Sequence, residues 1–209
     1  MTPAKRSCGE FNAVRRNVLS TGFSLAVCLV ALWAALPGLR GGETGPSAVR
    51  ELSIVGSRAL QQPVADWLEM YRRLHPNVRV HSAMYGSGLA ASAMAQHRAN
   101  IAPLNRMMLG GEQALLEGRS RPVAVKVGDW FKRDAVRQPV YLYVAREVDG
   151  TMNREALDFV RVAISEAGQS RLHAAGFGSL SLEDIGAARQ KIDLLMEDER
   201  TAVRESGRD

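Results

Sequence analysis

Serine and glycine stand together twice at the end of an apolar run, in "IVGSRALQQP" (residues 54–63) and in "MYGSGLAAS" (residues 84–92). Each run reads as a strand that stops at a glycine and turns into a helix. The first N–H groups of a helix have no partner inside it, and the helix dipole adds positive potential, so such a turn favours an anion. Ser57 and Ser87 each add a hydroxyl, and Arg58 adds a charge. Serine is equally a good helix cap with no ligand present, and the two readings stay open on the residues alone.

Other chemistry is thin. His75, His81, His97 and His173 are scattered, and none falls in a metal-ligand spacing such as HExxH. Acidic residues such as Glu197, Asp198 and Glu199 cluster on a helix, where a solvated face accounts for them. "GSGLAA" lacks the third glycine of a dinucleotide fingerprint. Without an acid, base or nucleophile cluster the expectation is a protein that is not an enzyme and carries no cofactor and no metal.

The elements that must position these turns can be read from periodicity. "ELSIVGS" is a first strand; "LQQPVADWLEMYRRLHP" places Val64, Trp67, Leu68, Tyr71 and Leu74 on one helical face, with Pro63 in the first turn and Pro76 as the stop. "NVRVHSAMY" alternates as a second strand, "SGLAASAMAQHRA" follows as a helix of small residues, and "NIAPLN" is a third strand. Strand, helix, strand, helix, strand at this spacing implies parallel pairing, with both glycine-serine turns on the carboxyl edge of the sheet. Beyond Arg106, "GGEQALLEG" reads as a short helix, "RPVAVKV" as a strand, "GDWFKRDAVR" as a loop, and residues 138–145 as a strong strand. Asn153 and Ser165 are caps for helices through Ile164 and up to Gly176. A last helix from Leu182 to about Arg204 turns Ile185, Ala188, Ile192, Leu195 and Met196 to one side. The expected fold is α/β: a single three-layer lobe whose mostly parallel sheet has about five strands.

The chain begins differently. Lys5, Arg6, Arg15 and Arg16 precede an uncharged apolar run from Val18 to Gly38, which reads residues 1–40 as an export signal or an N-terminal membrane anchor. Both cysteines, Cys8 and Cys28, lie there, so the body has no thiol chemistry. Residues 41–50 are a Gly/Ser/Pro-rich linker. The whole chain carries a net charge of +5, yet residues 41–209 hold 22 Lys+Arg against 21 Asp+Glu. The basic excess belongs mainly to the leader, which argues against a nucleic-acid partner.

In order, these pieces resemble the periplasmic phosphate-binding proteins of ABC importers, members of the type 2 periplasmic-binding-protein superfamily. Residues Ile54–Arg106 are similar to that family's opening: a serine-rich turn, a helix, an "hPxV.V" strand, a Gly-Ser-Gly turn and an "ADIG.SSR" strand. "QPVYLYVAREVDGTMNREALDFVRVAISEAGQSRLHAAGFGSLS" resembles its closing piece. The family carries a second lobe between these pieces, and here only the 31 residues Met107–Arg137 separate them. The resemblance therefore implies a binding domain of one lobe over residues 51–181, followed by a C-terminal helix and tail over 182–209.

It also implies phosphate or a related oxyanion as ligand, a periplasmic location, and an ABC permease or another envelope protein as partner, with membrane contact only through an uncleaved leader. The family's lobe-one contacts are a first-turn Thr, the Ser of the Gly-Ser-Gly turn and a third-strand Asp that accepts the proton of hydrogen phosphate. Ala59, Ser87 and Asn100 stand at the matching positions. The expected contacts are Ser57, Arg58, Ala59, Ser87 and Gly88, with Asn100 behind them. An Asn in place of the Asp removes the repulsion toward a fully ionised anion such as sulfate. The alternative is an envelope interaction module that keeps the fold without the ligand.

Overall fold

The computed structural model of the chain describes residues 50–131 and 136–206. The expected leader and nearly all of the linker lie outside them. The elements follow in the order β1 (Glu51–Val55), a 3-10 turn (Arg58–Leu60), α1 (Gln61–Leu74), β2 (Arg79–Ala83), α2 (Ser87–Ala95), β3 (Ile101–Leu104), α3 (Gly110–Ala114), β4 (Val123–Phe131), β5 (Arg137–Val144), α4 (Arg154–Ile164), α5 (Glu166–Ala174) and α6 (Leu182–Ser206). Among these residues no helix is long and apolar enough to cross a membrane.

One sheet of five strands, ordered β2-β1-β3-β5-β4, organises the domain. β1 pairs in parallel with β2 and with β3, as the strand–helix–strand spacing requires. The other two pairings, β3 with β5 and β5 with β4, are antiparallel. The sheet is thus mixed rather than mostly parallel, because β4 returns directly into β5 as a hairpin instead of crossing over through a helix. The hairpin also corrects the loop expected over "GDWFKRDAVR": β4 runs on to Phe131, with Phe131 opposite Arg137 and the register shifting between Lys126 and Gly128. Asp129 fixes this extension, exchanging backbone hydrogen bonds with Gly178 on its outer side.

Alternation along the strands divides the core in two. On one face Leu52, Ile54, Ile101, Val125, Val127, Val140, Leu142 and Val144 pack under α1, α4, α5 and α6. On the other, Ala102, Leu104, Tyr143 and Ala145 meet the small residues of α2, with Met108 and Leu116 beside them. Helices therefore lie on both sides of the sheet, giving three layers.

Caps and stripes behave locally as the sequence predicts. The Asn153 side chain accepts from Ala156 N–H at 2.9 Å, and that of Ser165 from Gly168 N–H at 3.0 Å. In α1, Val64, Trp67, Leu68 and Tyr71 are buried, but Leu74, the last residue of the helix, is 66% exposed. Trp67 donates to the Gly168 carbonyl at 2.9 Å and meets Phe159 edge-on, tying α1 to α4 and α5. Gln169, 5% exposed, donates to the carbonyls of Val127 and Ala163 and accepts from Leu180 N–H. This buried amide joins β4, α4 and the segment leading to α6. α6 closes the same core through Ala188, Ile192, Leu195 and Met196.

Candidate functional site

The two glycine-serine turns meet. Gly86 N–H donates to Gly56 O at 3.0 Å, and Gly56 N–H to Ala83 O at 3.1 Å, so the ends of β1 and β2 stay in register as each chain leaves the sheet. Ser57 N–H donates to Pro103 O at 2.8 Å, bringing the end of β3 alongside. That approach is close enough that a Cβ on Gly56 would lie 2.4 Å from Pro103 O. Gly86 has φ +141°, a conformation that glycine alone adopts readily, and it sets the start of α2.

Five of the six expected site residues, Ser57, Arg58, Ala59, Ser87 and Gly88, therefore come to one carboxyl edge of the sheet. Their availability differs. Ser57 is 6% exposed, its N–H is taken by Pro103, and its hydroxyl donates to Asn105 Oδ1 at 2.9 Å. It builds the edge rather than offering a free donor. Arg58 and Ala59 are exposed on the 3-10 turn, and Ser87 and Gly88 open α2 half-buried and exposed. Leading N–H groups at both helix starts are free of intrahelical bonds by geometry. Among the described residues no carboxylate pairs with Arg58, which with Tyr85 lines a groove of about 400 Å³ between α1 and the end of β2. Ser57, Ser87 and Gly88 are not among the groove's lining residues.

Asn100 is not at this edge. It precedes β3 at the opposite end of that strand, where its Oδ1 accepts from Ser53 N–H at 2.8 Å and its own N–H donates to Ser53 O at 2.8 Å. The amide acts as a rung between β1 and β3. The polar residue that does reach the site is Asn105, at the exit of β3. Position along the strand is the signal that finds it: both turns lie at carboxyl ends, and only the last residue of "NIAPLN" lies at that end too.

Arg106 follows Asn105 and turns away. Its guanidinium holds Glu112 through two bonds of 2.7 Å, and Glu112 also accepts from Leu109 N–H at 2.9 Å. Hydrogen bonding to Arg106 holds the Glu112 carboxyl below its ordinary range, against the opposing effect of its burial. Tyr143 OH accepts from Met108 N–H at 3.0 Å, and burial pushes that phenol upward. These contacts fix the path of the chain as it leaves the site. Among the described residues no group of three His, Cys, Asp or Glu could hold a metal ion.

No protein-family model matches the chain. The phosphate-binding protein PstS of two Pseudomonas aeruginosa strains is 33% identical over 111 residues, which is 52% of this chain and 33% of each relative. The chain thus matches about a third of the length of these curated relatives. Among solved structures, a possible phosphate binding protein from Planctomyces limnophilus aligns over 69% of this chain and 98% of its own, with TM-score 0.54 at 9% identity. PstS from Borrelia burgdorferi aligns over 63% and 99%, with TM-score 0.50 at 8% identity. At those identities the structures speak to the fold alone. With a mixed five-stranded sheet between helices and a sequence match over half of its length, the chain is a single α/β lobe similar to phosphate-binding proteins of the PstS kind.

Proposed function

We propose that this chain is an exported, non-enzymatic solute-binding lobe that holds phosphate or a related oxyanion at the carboxyl edge of β1, β2 and β3. The observation that carries this reading is the union of the two turns by the Gly86–Gly56 hydrogen bond. It sets two helix starts, the Arg58 guanidinium and the Ser87 hydroxyl around one edge of a PstS-like lobe. Ser57, Ala59 and Gly88 frame that edge, and Asn105 takes the place expected for Asn100. The site is open on one side, and a half-solvated charge gains little per contact. Affinity in the millimolar range, on the order of 4 kcal/mol, is expected. Delivery to an ABC permease and a periplasmic location belong to this proposal, and the similarity to phosphate-binding proteins supports them.

Calorimetric titration of the chain with phosphate and with sulfate at low salt tests the reading. Saturable heat that falls about fivefold in affinity on Ser87→Ala, the loss of one hydrogen bond, is the expected result. No heat with either ion overturns it.

One observation favours a second reading, an envelope interaction module. Tyr85, Leu89, Met107 and Leu109 follow β2 and β3 at the same edge and are 55–70% exposed. Phe131 and Val136, at the β4 end and just before β5, lie beyond the Leu104–Tyr141 pair toward the same end of the sheet and are about half exposed. Apolar side chains gathered at one end of a sheet mark a contact surface. A light-scattering mass above that of the monomer, without anion binding, selects this reading.

A further inference from the structure

β2 is an outer strand of the sheet, and among the described residues it pairs with β1 alone. Its outward backbone groups follow from that pairing. Arg79 N–H donates to Arg50 O at 2.9 Å, and Ala83 O accepts from Gly56 N–H at 3.1 Å. In a parallel pair the N–H and C=O of one residue share a side, so Arg79, His81 and Ala83 face β1. Val80 and Ser82 turn both of theirs outward. Their side chains, in register with Leu52 and Ile54, point to the face that α1 covers. Val80 packs against that core, whereas Ser82 is small and exposed. Beside Ser82, Val64, Ala65 and Leu68 of α1 line the groove of about 400 Å³. No residue of β1 lines it, so it lies on the outer side of β2.

An unpaired strand edge beside an apolar hollow fits an extended chain. Extended backbone matches donors and acceptors that recur about every 7 Å, and every second side chain of an added strand faces the layer of α1, where the hollow receives it. Charge narrows the class. Arg58 lines the groove where β2 stops, and Arg79 opens the strand at its other end. Among the described residues neither meets a carboxylate. The acids of α1 are engaged, Asp66 by Gln62 and Glu69 by Arg73, and Glu51 stands 3.6 Å from His81 on the opposite face. A second copy is a poor occupant, because antiparallel pairing of β2 with itself sets Arg79 of one molecule toward Arg58 of the other.

We infer that the β2 edge is a strand-addition site for an extended segment of another protein, apolar where it faces the groove and acidic beside Arg58. This goes beyond the oxyanion reading and stands apart from it, since Ser87 and Gly88 do not line the groove and Arg58 alone is common to both.

The probe is a fluorescein-labelled hexapeptide of alternating threonine and valine ending in aspartate, titrated into the full chain and read by fluorescence polarisation. Saturable binding is expected. Ser82→Pro removes one outward N–H, leaves the bonds of His81 and Ala83 to β1, and should weaken binding about tenfold. Ala65→Leu, at an exposed position of α1, keeps a good helix former and fills the groove, and should also weaken it. If Ser82→Pro loses its circular-dichroism signature, Ala65→Leu decides alone. Ser87→Ala should leave peptide affinity unchanged. Absence of saturable binding, or binding that neither groove variant alters, overturns the inference. A loss on Ser87→Ala places the peptide on the carboxyl edge and overturns it too. Equal affinity for a peptide ending in lysine removes the charge argument and with it the acidic partner. Anion binding is read separately by the phosphate and sulfate calorimetry, so the oxyanion reading stands or falls independently of these results.

Discussion

Two asparagines five positions apart show why a residue's type says less than its place on a strand. Asn100 and Asn105 bracket β3, and only the latter stands where β1 and β2 end. The sequence shows an amide beside a short strand, and the motif resemblance points to Asn100. Strand direction then decides between them, since in open parallel units ligands gather at carboxyl ends. The structure gives Asn100 a different duty, supplying an acceptor to Ser53 N–H between two buried strands. Asn100→Ala leaves that N–H without its partner and should destabilise the fold by about 1–3 kcal/mol. Denaturant unfolding reads this loss, and anion affinity measured on the folded variant should match the wild type. A change in affinity comparable to that of Ser87→Ala would return Asn100 to the site.

At the scale of elements, what was legible was local. Caps at Asn153 and Ser165, the α1 stripe and the α6 stripe follow from residue type and spacing, and the packing agrees with them except at the exposed Leu74. The extension of β4 through Gly128–Phe131 was not legible. From sequence it reads as a loop from Gly128 on, and it is made a strand by pairing with β5 on one side and with Gly178, distant in sequence, on the other. The short α3 depends instead on a local pair: Glu112, in its first turn, is buried against Arg106 and accepts from Leu109 N–H. Because the Glu112 carboxyl titrates lower in the folded chain than its ordinary value, the unfolded chain binds its proton first as pH falls. The stabilisation is present above the ordinary glutamate range and is lost as pH drops through the lowered value. Glu112→Gln should be less stable than wild type by about 2 kcal/mol at neutral pH. Urea unfolding should show that difference shrinking as the pH falls through and below the ordinary glutamate range. A constant difference across that range would mean that the carboxylate charge contributes nothing and that only shape was lost.

For the molecule as a whole, the question is whether a single lobe holds together with a small second core. The two apolar clusters lie on opposite faces of one sheet and use alternate residues of the same strands. In β5, Val140, Leu142 and Val144 face α4 while Tyr141 and Tyr143 face α2. In β3, Ile101 and Ala102 divide the same way. The α2 side is built largely from alanines, whose burial stabilises less per residue than that of Leu or Val. On its own it would open first. The sheet prevents this, because peeling α2 away exposes the back of β3 and β5, and the turn at Gly86 is tied to Gly56 just past the end of β1. A single cooperative transition is therefore expected, as for most domains of this size. Trp33→Phe leaves Trp67 and Trp130 as the emitting residues, and Trp67 reports on the larger cluster. In urea, tryptophan emission and far-ultraviolet circular dichroism should give coincident curves. Loss of helical signal ahead of the fluorescence change would mean that the α2 face melts separately, and the proposed oxyanion edge, which includes the start of α2, would then exist only in the fraction of molecules in which that face is closed.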